Sequence, residues 1–265
     1  METCKLKKRG KLFILTLTGE DEHRLNPTRI DAIRSALNQI RSDSSSLSGS
    51  VLITTAHGKF FSNGYDLAWA GSSPMSSKLR ELVADLISFP MPTVAAITGH
   101  ACAAGMIFAL CHDYIVMRKD RGFLYMSEMD IGLKIPAWFM AVMSCKIGDA
   151  RVLRDVVLKA RKLTAKQAVE SGIIEAAMDS AEETVKGAVE LGETLVKKGW
   201  KGQDESPPHV DLRHQARFRS FLDIVVAEVE PQTVEKKAFH RTANGCLDQK
   251  PRLKKTMRPY LRFRR

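Results

Sequence analysis

No apolar run in these 265 residues approaches the roughly 20 that a membrane-crossing helix requires, so no such span is expected. Cysteine is scarce and unpatterned. Cys4, Cys102, Cys111, Cys145 and Cys246 form an odd, scattered set without a CxxC pair, which argues against a zinc site or a disulfide framework and fits a reducing compartment. The start, METCKLKKRGKLFILTLT, is basic and then apolar, but the apolar part is short, alternates with Thr and lacks a small-residue cleavage site. It reads as a first strand. No internal repeat is visible.

What is present in excess is positive charge, +11 overall, and its location matters. Residues 235–265 hold eleven of the 41 Lys and Arg but only two of the 30 acidic side chains, a net +9 that leaves +2 for residues 1–234. The basicity therefore belongs to a tail and says little about the body. At 44% apolar and 27% charged, the chain has the composition of an ordinary soluble protein, long enough for one large domain or a domain with an appendage.

Along the chain, strand-like and helical patterns alternate. KLFILTLT, VLITTA, PTVAAIT and DYIVM read as strands. NPTRIDAIRSALNQI carries Ile30, Ile33, Leu37 and Ile40 at helical spacing behind Asn26-Pro27, and SKLRELVADLISF is amphipathic and stops before Pro90. From AWFMAVMSCKIG onward, through ARVLRDVVLKA, TAKQAVESG and SAEETVKGAVELGETLVKKG, the pattern is helical. An α/β fold of repeated strand-helix units follows. Beyond Trp200 the periodicity fades, apart from one short apolar run, FLDIVVAEVE.

Three stretches share one design. GKFFSNGYDL follows VLITTA, GHACAAGMIF follows PTVAAIT, and SEMDIGLKIP follows FLYM, a further candidate strand. In the first two, small residues at a strand's end let backbone N–H groups approach a ligand with no side chain in the way. Two such turns side by side could aim two donors at one oxygen, the arrangement that stabilises an oxyanion. The third supplies Glu128 among Tyr125, Met126, Met129 and Ile131, where burial would raise its pKa and make it a better base near neutral pH. An oxyanion hole with one isolated carboxylate suits proton removal next to a carbonyl, with no metal and no covalent nucleophile.

FFSNGYDL, TGHACAAGMIFALCHDY and SEMDIGLKIP, in this order and spacing, resemble the crotonase (enoyl-CoA hydratase/isomerase) superfamily, and LTAKQAVESGIIEAAM looks like the family's later helix-turn segment. Within it the chain is most similar to plant peroxisomal Δ3,Δ2-enoyl-CoA isomerases. The likeness covers about residues 8–202. It implies a crotonase (ClpP-like) spiral of repeated ββα units with C-terminal helices, the core at 1–202 and an atypical basic segment at 203–265. It further implies that the backbone N–H groups of Tyr65 and Ala104 hold the thioester oxygen, that Ser62, Asn63, Gly64, Asp66 and Ser127 line the acyl-CoA path, and that Glu128 is the base. Family hydratases use two glutamates; one aligns with Glu128 and the other with Ile107, which points away from hydration. The implied reaction moves a double bond from C3 to C2 with Glu128 carrying the proton. It needs no cofactor beyond the coenzyme A of the substrate. A homotrimer and a peroxisomal address are also implied, although the chain ends in Phe263-Arg264-Arg265 without an SKL-like tripeptide, and a cytoplasmic location is the alternative.

Plainer readings stand beside these. Asp66 fits a turn cap. His100 fits a structural histidine and His112 a cation near a helix end. Met106, Met126, Met129, Met140 and Met143 fit core or acyl-chain lining. Ser62 has no partner histidine and acid in register for a serine hydrolase. Two rival functions remain open. One is a hydratase or hydrolase using Asp130, which in a strand would share a face with Glu128. The other is a catalytically weak crotonase-fold protein binding RNA through its tail.

Overall fold

The computed structural model describes residues 2–43, 47–69 and 73–199; the segment 200–265, with FLDIVVAEVE and the basic tail, lies outside the described residues. Six strands form the main sheet: β1 (Cys4–Arg9), β2 (Leu12–Leu17), β3 (Val51–Ala56), β5 (Thr93–Ile97), β7 (Tyr114–Arg118) and β9 (Ala176–Met178), side by side in that order. β1 and β2 are an antiparallel hairpin, and every later pairing is parallel. The stretch read as one opening strand is thus two. β1 escapes sequence reading because Lys5, Lys7, Lys8 and Arg9 are exposed on an edge, where charge is favoured over apolar alternation.

Parallel strands covered on both faces carry near-continuous apolar runs, which is why VLITTA and TVAAI are buried throughout. Alternate residues serve opposite layers. Leu52 and Ala95 face a core built with Ile30, Ile33 and Leu37 of α1 (Pro27–Ser42) and Leu79, Leu82 and Leu86 of α2 (Ser73–Ile87). Val51, Ile53, Val94 and Ala96 face Ala188 and Leu195 of α7 (Ala181–Val196). Asn26 caps α1 by accepting from the Arg29 N–H at 2.9 Å, with Pro27 in the first turn, as the sequence predicts.

A second, three-stranded parallel sheet of β4 (Phe60–Ser62), β6 (His100–Cys102) and β8 (Leu124–Tyr125) stands beside the first. Its strands are two or three residues long, too short for period-two patterning to announce them. Each is the continuation of a tight turn, and each runs out into one of the three stretches singled out above. The remaining described helices are α3 (Ala104–Leu110), α4 (Ala137–Lys146), α5 (Ala150–Leu158) and α6 (Ala165–Glu170). α6 begins with a capping box in which Thr164 and Gln167 satisfy each other's backbone.

His112 corrects one expectation. It is fully buried just past α3, with Nε2 2.8 Å from the Thr54 hydroxyl and Nδ1 3.1 Å from the Phe108 carbonyl, and burial pushes its pKa down to about 4. The cation at that helix end is Lys146, whose Nζ donates to the carbonyls of His112 (2.6 Å) and Asp113 (3.1 Å). Because the folded state keeps His112 neutral, its contribution to stability is present above the unfolded pKa and is lost as pH falls from about 6.5 toward 4. Urea unfolding at pH 7.5 and 4.5 should show the parent losing roughly 2 to 3 kcal/mol more than a His112→Gln variant.

Candidate active site

All three chemical elements lie at the C-terminal ends of the small sheet. Beyond β4, the chain passes through Asn63 and Gly64 to Tyr65. The Leu25 N–H donates to the Gly64 carbonyl at 2.7 Å and the Asp66 N–H to the Leu25 carbonyl at 2.9 Å, which makes Leu25 and Tyr65 a parallel bridge. In that pattern the straddled residue's own N–H points to the opposite side. Arg24 fixes the next peptide by donating from Nη1 to the Tyr65 carbonyl at 3.1 Å.

Beyond β6, Ala103 has φ +51° and ψ −124°, a conformation that costs a non-glycine residue of order 1–3 kcal/mol and marks a turn held by its surroundings. One holding bond runs from the Ala103 N–H to the Tyr125 carbonyl at 2.9 Å. Ala104 then opens α3. As a first-turn residue, its N–H has no intrahelical acceptor. The two turns touch. A Cβ built on Gly64, whose φ is +76°, would stand 3.0 Å from the Cys102 carbonyl oxygen and 3.4 Å from the Ala104 nitrogen. One built on Gly105 would stand 2.2 Å from the Ser62 carbonyl oxygen. Glycine at both positions permits this approach, which brings the turn that carries Tyr65 against the turn that carries Ala104.

Beyond β8, residues 127–133 form a turn closed by bonds from the Asp130 N–H to the Ser127 carbonyl (3.1 Å) and from the Leu133 N–H to the Glu128 carbonyl (2.9 Å). Glu128 is 7% exposed, and its Oε2 is buried with no hydrogen-bond partner. Burial raises its pKa above the usual carboxylate value, partly opposed by its own N–H and that of Ser127. The Tyr65 phenol is pushed upward by burial, with Arg80 opposing the shift and Glu128 adding to it.

The other singled-out residues are mostly structural. Ser62 is fully buried and its hydroxyl donates to the His23 carbonyl at 2.9 Å; the Ser127 hydroxyl lies 3.4 Å from the Cys102 sulfur. Asn63 donates from its side chain to Glu22 at 3.2 Å. Asp66 accepts from the Ala68 N–H at 3.1 Å, the turn cap expected of it. Asp130 corrects an expectation: the chain is in a turn there, not a strand, so Asp130 is exposed while Glu128 is buried. Of the methionines, Met106, Met126 and Met143 are core, whereas Met129 is 51% exposed and is not. His100, on β6, lies between the rings of Phe60 and Phe123. Ile107 is fully buried on α3. Sequence reasoning missed the Tyr65 ring, which stacks on Phe139 of α4 with centroids 6.3 Å apart, and the Arg24 brace; both join residues far apart in the chain.

A cavity of about 800 Å³ lies elsewhere, bounded by α7 and the ends of β3 and β7, with Arg9, His57, Arg118, Arg121, Glu182 and Glu190 among its walls. It includes none of Glu128, Tyr65 and Ala104. Its charges are of both signs and partly paired, as Arg118 is with Asp120.

Residues 14–204 match the family model described as enoyl-CoA hydratase/isomerase. The chain belongs to the enoyl-CoA hydratase/isomerase family. Over 204 residues, 75% of this chain and 85% of the relative, it is 62% identical to the Arabidopsis thaliana protein named enoyl-CoA delta isomerase 1, peroxisomal. To enoyl-CoA delta isomerase 3 of the same plant it is 51% identical over 210 residues, 76% of this chain and 87% of that one. Among solved structures, an enoyl-CoA isomerase of Mycobacterium tuberculosis superposes with a TM-score of 0.74 over 85% of this chain and 95% of its own, at 22% identity. That likeness establishes the crotonase fold of the family. Among the described residues no helix is long and apolar enough to cross a membrane.

Proposed function

We propose that the protein is a Δ3,Δ2-enoyl-CoA isomerase acting in the β-oxidation of unsaturated fatty acids. The observation that carries this reading is the combination of two closely packed turns, at Gly64 and Gly105, with one buried carboxylate oxygen that has no partner. The thioester oxygen of a 3-enoyl-CoA sits between the N–H groups of Tyr65 and Ala104. Glu128 takes a proton from C2, the C–H electron pair moves into the C1–C2 bond, and the carbonyl π pair moves onto the thioester oxygen, giving a dienolate held by the two donors. Glu128 then gives the same proton to C4, which leaves the double bond at C2. Asn63, Gly64, Asp66 and Ser127 line the acyl-CoA path, with Ser62 supporting the turn from behind.

Hydration needs a second acid to position water. Ile107 supplies none, and Asp130 faces solvent. Glu128 itself is 7% exposed, which limits the access of water to the base. No cofactor is required beyond the coenzyme A of the substrate. A peroxisomal location agrees with the names of two Arabidopsis relatives, and the family's trimer would appear in sedimentation as three times the 29.5 kDa chain.

Conversion of trans-3-hexenoyl-CoA to the trans-2-enoyl thioester by the purified protein tests the reading. Accumulation of a 3-hydroxyacyl-CoA from the 2-enoyl thioester, or no conversion by a folded protein, would reject it. The acid limb of kcat/KM should lie above 4.5, because the base must be ionised and burial raises its pKa. An acid limb at or below that value would remove Glu128 from the role.

A further inference from the structure

We propose that the Tyr65 side chain, stacked on Phe139, is the wall that sets acyl-chain length in this site. The inference rests on the isomerase reading and adds the substrate class. With the thioester oxygen on the Tyr65 and Ala104 N–H groups and Glu128 serving C2 and C4, the acyl chain leaves the reacting carbons on the side of the base. The residue that carries the first N–H is Tyr65, and its ring reaches from that turn to Phe139 of α4, the helix that follows the Glu128 turn.

The ring is not free to swing away. Its plane lies 19° from that of Phe139, with centroids 6.3 Å apart. Phe139 is 1% exposed and meets Trp138, also 1% exposed, edge-on at 4.4 Å. These three rings join the oxyanion turn to α4, so displacing Tyr65 opens buried aromatic packing. A small residue after Gly64 would leave the same N–H in place with room beyond it. Tyrosine at this position keeps the donor and fills the room.

Binding of saturated acyl-CoAs, which cannot react, tests this by calorimetry. In an unobstructed apolar pocket each added methylene tightens binding roughly fourfold. For the parent, hexanoyl-CoA and decanoyl-CoA should bind within about threefold of each other, far less than four added methylenes would give. Tyr65→Ala should shift the ratio toward decanoyl-CoA by about tenfold or more, while Tyr65→Phe, which keeps the ring, should hold the parent ratio. A parent that already gains fourfold per methylene, or a folded Tyr65→Ala protein with the parent ratio, overturns the proposal. Assaying the same proteins on trans-3-hexenoyl-CoA separates the two readings. Absent turnover would reject the isomerase, whereas the binding ratio judges the wall independently.

Discussion

Replacing Glu128 by Gln is expected to abolish isomerisation, lowering kcat by about 10²- to 10⁴-fold or more while KM changes little. The substitution keeps the shape of the side chain and removes only its ability to accept and return a proton. The same variant should be more stable than the parent at pH 7. Burial raises the folded-state pKa of Glu128, so the stability tied to its protonated form is fully present below the ordinary carboxylate value and is lost as pH rises through the raised one. An amide carries no charge to bury, so thermal melts of parent and variant should diverge at neutral pH and converge in acid. A variant that loses activity together with stability at pH 7 would show that Glu128 holds the fold rather than the proton.

Gly64→Ala is the second large effect. The φ of +76° is strained for alanine, and the added methyl group would press on the Cys102 carbonyl oxygen and on Ala103 at 3.0 and 3.1 Å. Relief requires the two turns to separate, which moves the Tyr65 N–H away from its partner donor. Loss of one oxyanion donor costs about 10²- to 10³-fold in kcat. Gly10→Ala supplies the control. Gly10 also has a positive φ, +59°, but a Cβ there meets nothing within 4 Å and the residue is in the β1–β2 turn. It should lose stability by about 1 kcal/mol with kcat retained. Equal kcat in Gly64→Ala and the parent would mean that the paired turns do not hold the oxyanion.

Much of the candidate site's backbone was legible in the sequence because it depends on residue types that advertise themselves. Gly64 and Gly105 mark backbone that has to come close, and Glu128 and Asp130 are the carboxylates of the SEMDIGLKIP stretch. The larger elements were legible for a similar reason: β3 and β5 are continuous apolar runs, and α1 combines helical spacing with a capping Asn-Pro. Where reading failed, the cause was local. β1 is basic because it is an edge, and the Glu128 segment was open to a strand assignment because FLYM contributes only two residues to β8. His112 looked like a helix-end cation until burial and Thr54 made it neutral.

By itself, then, the sequence determined the long buried strands, the helices and the tight turns, since each depends on neighbours within a few residues. The tertiary structure alone decided what meets what. It packed the Gly64 turn against the Cys102–Gly105 turn, gave Glu128 a buried, unpartnered oxygen, and left Asp130, two residues on, in solvent. It also turned Tyr65 from a backbone donor into a ring packed on Phe139. Burial, field and contact are properties of space rather than of chain order, which is why only the folded chain could assign them.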